Sequence, residues 1–425
     1  MCWVSAREDR SGQIVRPRAT NENNVNAIPA VKKGRLPAAL WALALCLFGF
    51  GTGESVVPGL LLKIASDLKV STSSAGLLVS GYAIGVVIGA LLVPAVTRRL
   101  PRKTALLVLM GWFVAGNLVC ALAPGYATLM SARVITGLSH AALFGLGSVI
   151  AAELVAPDKR ASAIAIMFSG LTLAYVLGLP LGTFIGQTFG WRFTFWTITF
   201  LGVLAITGIF ALVPRLPLEH TLSIRQELWV VRRPQVLLGF AMTAFGNGSV
   251  VTVLTYIAPI LVKNAGFTEA AVSPILLLFG VGFVVGNTVG GRLADRRLMP
   301  SLLGILTVLA VVLAAFTFTS HYKIATLLTV FLLGAAAFGI VPGLQLRVVD
   351  KSKGAPNLAS AFNIAAFNVG SAGGAYLGGV VVDSRFGLNA VPLVAALVTA
   401  VAISVTAFSW SLDFRTRLPV RTAPA

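Results

Sequence analysis

Charge is scarce in this sequence. Only 11% of its 425 residues are Asp, Glu, Lys or Arg, whereas soluble domains carry about 25%. Hydrophobic residues make up 57% of the chain, and the mean hydropathy is +0.89. Apolar runs recur that are long enough, at about 18 residues or more, to cross a hydrocarbon core as a helix. Because these runs are continuous rather than alternating, they argue against a β-barrel and predict an all-α polytopic membrane protein.

Cysteine and histidine are also rare, with three of each. No C-x-x-C pair occurs, so we expect neither a disulfide framework nor a metal site. The phosphate-binding pattern G-x-x-x-x-G-K-[ST] is missing, and ATP-driven transport by this chain is not indicated. A membrane-embedded hydrolase would need paired carboxylates, H-E-x-x-H or a Ser/His set. We therefore expect no enzyme and no cofactor, and a membrane-embedded enzyme or receptor stays a remote alternative.

The apolar runs predict twelve transmembrane helices. These cover residues 38–62, 73–96, 103–123, 126–152, 161–186, 191–213, 236–262, 270–292, 300–319, 323–347, 356–381 and 388–411. Lys and Arg gather in cytoplasmic loops, and 26 of the 33 fall on one side of this arrangement, with six on the other and Arg133 within a helix. Both termini are therefore predicted to be cytoplasmic. The net charge of +19 is explained by orientation, so we expect no nucleic-acid partner.

The chain divides into two six-helix bundles with connecting segments. We predict a disordered basic cytoplasmic tail (1–37), the first bundle (38–213), a cytoplasmic linker (214–235), the second bundle (236–411) and a cytoplasmic tail (412–425). The second bundle repeats the first at a shift of 197 residues, which places Gly85 and Gly89 on Gly282 and Gly286. Two such halves in the same orientation are typical of secondary transporters, with the substrate site between them.

Glycines recur every fourth residue in the predicted helices 5 and 11. Residues at this spacing share one helix face, and a smooth strip of glycine lets a neighbouring backbone come close. Packing of helices in general explains such strips as well as a transporter does. The predicted packing positions are Gly170, Gly178, Pro180, Gly182, Gly186, Gly370, Gly374 and Gly378.

Short motifs resemble the major facilitator superfamily. The segment GGRLADRRLMP (290–300) is similar to the family's loop pattern G-x-L-A-D-R-x-G-R-K, and RVITGLSHAA (133–142) is similar to its R-x-x-x-G pattern. Two other segments resemble the twelve-helix drug/proton antiporter branch, which includes bacterial sugar-efflux and chloramphenicol-resistance type exporters. These segments are GLTLAYVLGLPLG (170–182) and GTGE followed by GLLLKIASDL. The resemblance covers residues 38–411. It implies the major facilitator fold, a place in the cell membrane and a monomer.

In this family the loop pattern is ascribed a gating role. The matching gating candidates are Gly291, Asp295 and Arg296 in the second half and Arg98, Arg99 and Arg102 in the first half. The first-half loop departs from the pattern, because Pro94 and Pro101 replace its glycines and Arg98 takes the position of its aspartate. That loop therefore lacks the acidic partner on which the family's gating salt bridge depends.

One carboxylate, Glu54, lies within about twenty otherwise uncharged residues. An acidic side chain at a helix centre costs about 2.5–3.5 kcal/mol on insertion, and such residues usually face a cavity or a partner on an ion pathway. The repeat places Glu54 on Val251, so the scaffold does not require the carboxylate. We predict that Glu54 binds the coupling proton, or the cationic part of a substrate in competition with it. A position near one surface or a structural hydrogen bond is the alternative, and Pro58 is expected to kink the helix.

The predicted helix 4 places Arg133 and His140 on one face. Arginine keeps its proton in proteins, so Arg133 needs an acceptor, and Glu54 is the candidate in one conformation. The resemblance implies a part in proton transfer; a snorkelling structural arginine is the alternative. His140 either titrates near neutral pH or is a neutral, packed residue. Residues that either line a central cavity or form packing hydrogen bonds are Tyr82, Tyr175, Asn247, Tyr256, Gln345, Asn363 and Asn368.

Together these features predict a proton-coupled exporter. It would exchange a small organic solute, such as an amphenicol-like drug or a sugar, for a proton by alternating access of its two halves. Uptake of a nutrient, nucleoside or sugar, or facilitated diffusion, is the alternative function. The expected partners are the solute, the proton and the lipid bilayer.

Overall fold

Long helices make up nearly all of the computed structural model, which describes residues 37–97, 99–215, 230, 232–352 and 356–415. From Ala38 onward the chain forms one compact unit. The predicted tail and most of the predicted linker lie outside the described ranges. The helices are α1 (Ala38–Ser55), α2 (Val57–Leu68), α3 (Thr72–Thr97), α4 (Arg102–Leu122), α5 (Tyr126–Leu138), α6 (His140–Glu153), α7 (Arg160–Leu173), α8 (Leu179–Phe189), α9 (Trp191–Leu212), α10 (Pro234–Thr255), α11 (Glu269–Thr319), α12 (Lys323–Lys351), α13 (Pro356–Asp383) and α14 (Val391–Arg415).

Eleven stretches of the described chain are long and apolar enough to cross a membrane. One of them, α11, has 51 residues and leaves helical geometry at Arg297 (φ −150°, ψ 87°). As one straight helix α11 would measure about 76 Å, more than twice a hydrocarbon core of about 30 Å, but the kink at Arg297 divides it into two helices. The predicted helices 270–292 and 300–319 both lie within it, on either side of Arg297. The twelve crossings and the orientation of the termini stay predictions.

Several crossings are interrupted part-way through the bundle. The first is divided into α1 and α2 at Val56, two residues before Pro58, because proline has no N–H to give to the carbonyl of Glu54. A π-helical turn at Ala174–Gly178 separates α7 from α8, whose second residue is Pro180. The crossing that begins with α10 is interrupted at Tyr256, shortly before Pro259. Broken helices of this kind surround the substrate sites of secondary transporters.

Glycines at repeat-related positions meet equivalent neighbours in the two halves. A side chain at Gly85 in α3 would collide with the backbone of Val134 in α5, and one at Gly282 in α11 would collide with the backbone of Phe331 in α12. The strip in α7 and α8 lies against α1 and α2, and the strip in α13 lies against α10. The contacts are Gly170 with Ala44, Gly178 with Thr52, Gly182 with Val56, Gly186 with Leu60, Gly370 with Ala244, Gly374 with Gly248 and Gly378 with Tyr256.

An ion-pair cluster joins the ends of α10, α12 and α14. Arg347, whose side chain is 3% exposed, donates to Asp413 Oδ2 at 2.6 Å, to Gln235 Oε1 at 2.9 Å and to Ser409 Oγ at 2.8 Å. Lys351 Nζ lies 2.8 Å from Asp413 Oδ1 at the cluster's more open side. Arg347 is one of the 26 basic residues assigned from the sequence to the cytoplasmic side, whereas the structure places its side chain inside the bundle.

We expect Arg347→Ala to lower the free energy of unfolding by about 3–5 kcal/mol, because it leaves the Asp413 carboxylate without its buried cation. Lys351→Ala is the matched control, and its cost is expected to stay below about 1 kcal/mol, the range of exposed ion pairs. Equilibrium unfolding in mixed micelles, followed by tryptophan fluorescence, measures both. Equal losses for the two variants would contradict the assignment of Arg347 as the centre of the cluster.

Candidate functional site

Glu54 lies at the end of α1, close to the middle of the first crossing. It is 16 residues after the start of α1 and 14 before the end of α2. Its side chain is half-buried, while the neighbouring Gly53 and Ser55 are buried. The side chains close enough to interact electrostatically include Arg133, Tyr82 and Tyr175. The carboxylate therefore faces the interior of the first half, and none of the described residues donates a hydrogen bond to it.

Arg133 is buried in the same region, with 1% of its surface exposed. Its Nη1 donates to the carbonyl oxygen of Gly53 at 2.5 Å, and its Nε donates to that of Leu78 at 3.4 Å. The guanidinium carbon lies 4.3 Å from the ring centre of Tyr82. Nη2 is buried and has no hydrogen-bond acceptor among the described residues. Arg133 thus anchors the backbone beside Glu54 and keeps one donor free.

His140 completes this cluster on the far side of Tyr82. The Tyr82 hydroxyl and His140 Nδ1 lie 2.9 Å apart, within hydrogen-bonding distance. The imidazole stacks on Phe144 with ring centres 4.4 Å apart, and its surface is 3% exposed. Of the two alternatives for His140, these contacts favour the packed residue. The structure therefore brings Arg133, Tyr82 and His140 into contact in that order, and Arg133 holds the backbone carbonyl directly before Glu54.

Tyr175 contacts aromatic residues of the other half. Its ring centre lies 5.0 Å from that of Phe283 in α11 and 5.0 Å from that of Phe338 in α12, and these two lie 3.7 Å from each other. Tyr175 lies close enough to Glu54 to interact with it electrostatically, so the aromatic cluster lies in the same region as the carboxylate. Phe283 and Phe338 were not predicted from the sequence. The spacing of Phe279 and Phe283, four residues apart on one helix face, was the available signal.

The polar candidates of the second half form two groups. Gln345, Asn363 and Thr243 connect α12, α13 and α10, with Asn363 Nδ2 donating to Gln345 Oε1 at 2.7 Å and Thr243 Oγ1 to Asn363 Oδ1 at 2.8 Å. Asn247 and Tyr256 instead hold α10 against α13, through the carbonyls of Phe367 and Ala375. Asn368 donates to its own helix at Ile364. Gln345 and Asn247 are half-buried, and Gln345 Nε2 also donates to Ser360 Oγ, so both ends of the Gln345 amide have partners within the second half.

The gating candidates do not form a single contact set. Arg98 lies outside the described residues, and Arg99 is exposed. Arg102 pairs with Glu153 at the end of α6. Asp295 and Arg296 are exposed, and Asp295 forms no ion pair with any side chain in the described ranges. Gly291 approaches Pro342 of α12, where a side chain would be in ordinary contact.

The two halves are joined at one end of the bundle, near residues 63–80 and 269–273, which we call the Lys63 end. Ser73 Oγ donates to Asp383 Oδ2 at 2.6 Å, and Ser80 Oγ donates to the carbonyl of Ala372 at 2.9 Å. Lys63 Nζ lies 3.3 Å from Glu269 Oε2. These contacts were not predicted from the sequence, because the partners lie roughly 200–310 residues apart.

A smaller ion pair braces the first half at the Lys63 end. Asp67 accepts hydrogen bonds from Arg192 Nη1 at 2.5 Å and from Trp191 Nε1 at 3.0 Å. These bonds, that of Arg192 above all, lower the pKa of Asp67 below its ordinary value because they favour the ionised carboxylate. The pair fixes α2 against the start of α9.

Comparison with known proteins decides the family. The sequence profile of the Major Facilitator Superfamily matches residues 43–362. The chain belongs to this superfamily. It is 42% identical over 364 residues to the inner membrane transport protein YdhP of Escherichia coli (strain K12), covering 86% of this chain and 94% of that protein. It is also 35% identical over 389 residues to a chloramphenicol resistance protein of Streptomyces lividans, covering 90% and 99%.

The Major Facilitator Superfamily fold is also shared by solved structures. A bacterial homologue of the human lysosomal transporter Spinster, solved in an inward-facing and unoccupied conformation, matches with a TM-score of 0.71 at 16% identity, covering 92% of this chain and 100% of that one. The resemblance predicted from the motifs is therefore confirmed. The protein is a multi-pass membrane transporter of the cell membrane, as the sequence analysis predicted.

Proposed function

We propose that the protein is a proton-coupled exporter of a small organic solute. The observation that carries this proposal is Glu54, a half-buried carboxylate at a helix break in mid-crossing that no described residue hydrogen-bonds. Intramembrane carboxylates mark ion and substrate pathways. A group that takes a proton from one side and releases it to the other is what coupled exchange requires.

The guanidinium of Arg133 makes the site sensitive to the charge of Glu54. Arg133 holds the Gly53 carbonyl directly before Glu54 and keeps Nη2 free of described partners. An ionised Glu54 attracts this donor, whereas a protonated Glu54 does not. Because the two groups lie at the break between α1 and α2, protonation changes the forces on that break. This is how a proton at Glu54 biases the conformation of the first half.

The contacts between the halves support alternating access. Every hydrogen bond and ion pair between the two halves, among the residues described, lies toward the Lys63 end. With the orientation predicted from the basic residues, that end faces outward, so we infer that this conformation is closed on the outer side and inward-open. Export then begins when a solute enters this inward-open state.

The solute class we favour is an amphenicol-like drug. The relative from Streptomyces lividans is named a chloramphenicol resistance protein. The rings of Tyr175, Phe283 and Phe338 form an aromatic cluster in the region of Glu54. The Tyr175 hydroxyl forms no hydrogen bond with any described residue, so it can bond a hydroxyl or carbonyl group of a solute. A site of this composition suits a neutral aromatic solute with polar substituents.

Transport by the purified protein in liposomes tests the proposal. We expect radiolabelled chloramphenicol to move against its concentration gradient when a pH gradient is imposed, and this movement to stop when an ionophore collapses the gradient. Equilibration without accumulation would instead indicate facilitated diffusion. Accumulation on the side opposite to that expected for exchange would indicate uptake. Growth of an expressing strain on a panel of antibiotics and sugar analogues then narrows the solute.

A further inference from the structure

A lipid-facing groove with a basic end lies between α11 and α12. It encloses about 680 Å³ and is lined mainly by apolar side chains. Val285, Val289 and Val308 are among its lining residues, and 43%, 47% and 53% of their surfaces are exposed. Arg296 and Arg297 close the groove at the point where α11 leaves helical geometry. An apolar groove with two cations at one end matches the acyl chain and the anionic phosphate of a phospholipid.

The two arginines are available to an external anion. Both are exposed, and neither forms an ion pair with any side chain in the described ranges. The neighbouring charged residues in the sequence are Arg292 and Asp295, so the net charge of this segment stays positive. Asp295 does not line the groove. Guanidinium groups bind phosphate oxygens in bidentate geometry, so a phosphate is the complementary headgroup.

The length of the groove fits one leaflet of a membrane. From Arg297 to Val285 is twelve residues, which at 1.5 Å per residue corresponds to about 18 Å. One leaflet contributes about 15 Å to the hydrocarbon core. A lipid whose phosphate contacts the arginines can therefore lay an acyl chain along the apolar part. Under the predicted orientation this is the cytoplasmic leaflet, whose anionic lipids attract basic residues.

We propose that this groove binds an anionic phospholipid, with the phosphate on Arg296 and Arg297 and an acyl chain between α11 and α12. The proposal is independent of the transported solute. The chain offers an internal comparison in a second groove of about 510 Å³ between α4 and α5. That groove is lined by residues such as Trp112 and Ile135 and has no charged side chain in its lining. It offers an acyl chain similar contacts but gives a phosphate no cation.

The headgroup is tested by native mass spectrometry of the full chain with added phosphatidylglycerol or phosphatidylcholine. We expect the protein to retain phosphatidylglycerol in preference, and R296Q/R297Q to weaken that retention by roughly thirtyfold, given the contribution of each basic residue near an anionic surface. The matched control is K159Q/R160Q, which removes two exposed positive charges outside the groove. We expect no such loss in the control. Equal loss in both double variants would overturn the proposal.

The acyl part is tested by filling each groove without changing its charge. Gly304 lines the basic groove and Gly111 lines the comparison groove, and neither has a heavy atom within 4 Å of a built Cβ position. Gly304→Leu is therefore expected to fold and to lower phosphatidylglycerol retention several-fold. Gly111→Leu is expected to leave it unchanged.

Two further outcomes contradict the proposal. Displacement of phosphatidylglycerol by inorganic phosphate, with no effect of Gly304→Leu, would show that the arginines bind phosphate alone. A dimer that persists in R296Q/R297Q and excludes the lipid would show that a second copy of the chain covers the groove.

Discussion

Glu54→Gln is expected to abolish solute accumulation driven by a pH gradient while sparing counterflow exchange of the solute. Glutamine keeps the size and hydrogen-bonding capacity of a protonated glutamic acid but cannot release a proton. The half-buried position at the α1–α2 break and the space around the side chain are therefore preserved. What is lost is the alternation between a carboxylate that attracts Arg133 and a neutral group that does not.

The measurement is initial-rate transport in liposomes, with and without a pH gradient, and counterflow with equal pH on both sides. Asp158→Asn is the matched control, because it also removes one carboxylate but from an exposed position between α6 and α7. We expect the control to retain both activities. Unchanged gradient-driven transport by Glu54→Gln would show that Glu54 is not the coupling site, even if the protein is an exporter.

The elements of the fold followed from the sequence to a large extent. Continuous apolar runs predicted the helices, and Pro58 predicted the break in the first one. The predicted first helix ended at residue 62, where the apolar run ends. In the structure α2 continues to Leu68, because the polar residues Lys63, Ser66 and Asp67 are helical as well. Propensity is a weak guide to such ends, since tertiary contacts extend or shorten a helix.

The candidate site was predicted in part. Glu54, Arg133 and His140 were recognised because polar groups are conspicuous in apolar runs. The structure places Arg133 and His140 in contact with Tyr82, and Arg133 on the carbonyl directly before Glu54. The aromatic contacts of Tyr175 could not be predicted, because phenylalanines are common in apolar helices and only the arrangement of the two halves selects Phe283 and Phe338. The same holds for the contact between Ser73 and Asp383, whose residues lie 310 positions apart.

Charge counting also has a physical limit that Arg347 illustrates. Orientation rules treat each basic residue near a helix end as a loop charge. A long side chain near such an end can instead turn into the bundle if carboxylate and amide partners meet it there, as Asp413 and Gln235 do. The count of basic residues on each side is unchanged by this, so the rule predicts orientation without locating the cluster.

Arg133→Ala is expected to eliminate transport and to lower the free energy of unfolding by about 3 kcal/mol or more. The guanidinium donates to the carbonyls of Gly53 and Leu78, and hydrogen bonds from a charged donor contribute about 1.5–3 kcal/mol each. The substitution also leaves a cavity beside the Tyr82 ring. Unfolding in mixed micelles measures the stability, and counterflow in liposomes measures whether any transport remains.

Arg133→Lys separates the structural part of this effect from the part that acts through Glu54. Lysine keeps the charge and can donate to one of the two carbonyls, so we expect the variant to fold and to retain counterflow. Gradient-driven transport is expected to fall at least roughly tenfold, which corresponds to the loss of one charged hydrogen bond. If Arg133 acts through Glu54, gradient-driven transport by Arg133→Lys falls while counterflow is retained. Equal losses of gradient-driven transport and of counterflow in Arg133→Lys would mean that Arg133 supports the helix break alone and has no part in sensing the proton.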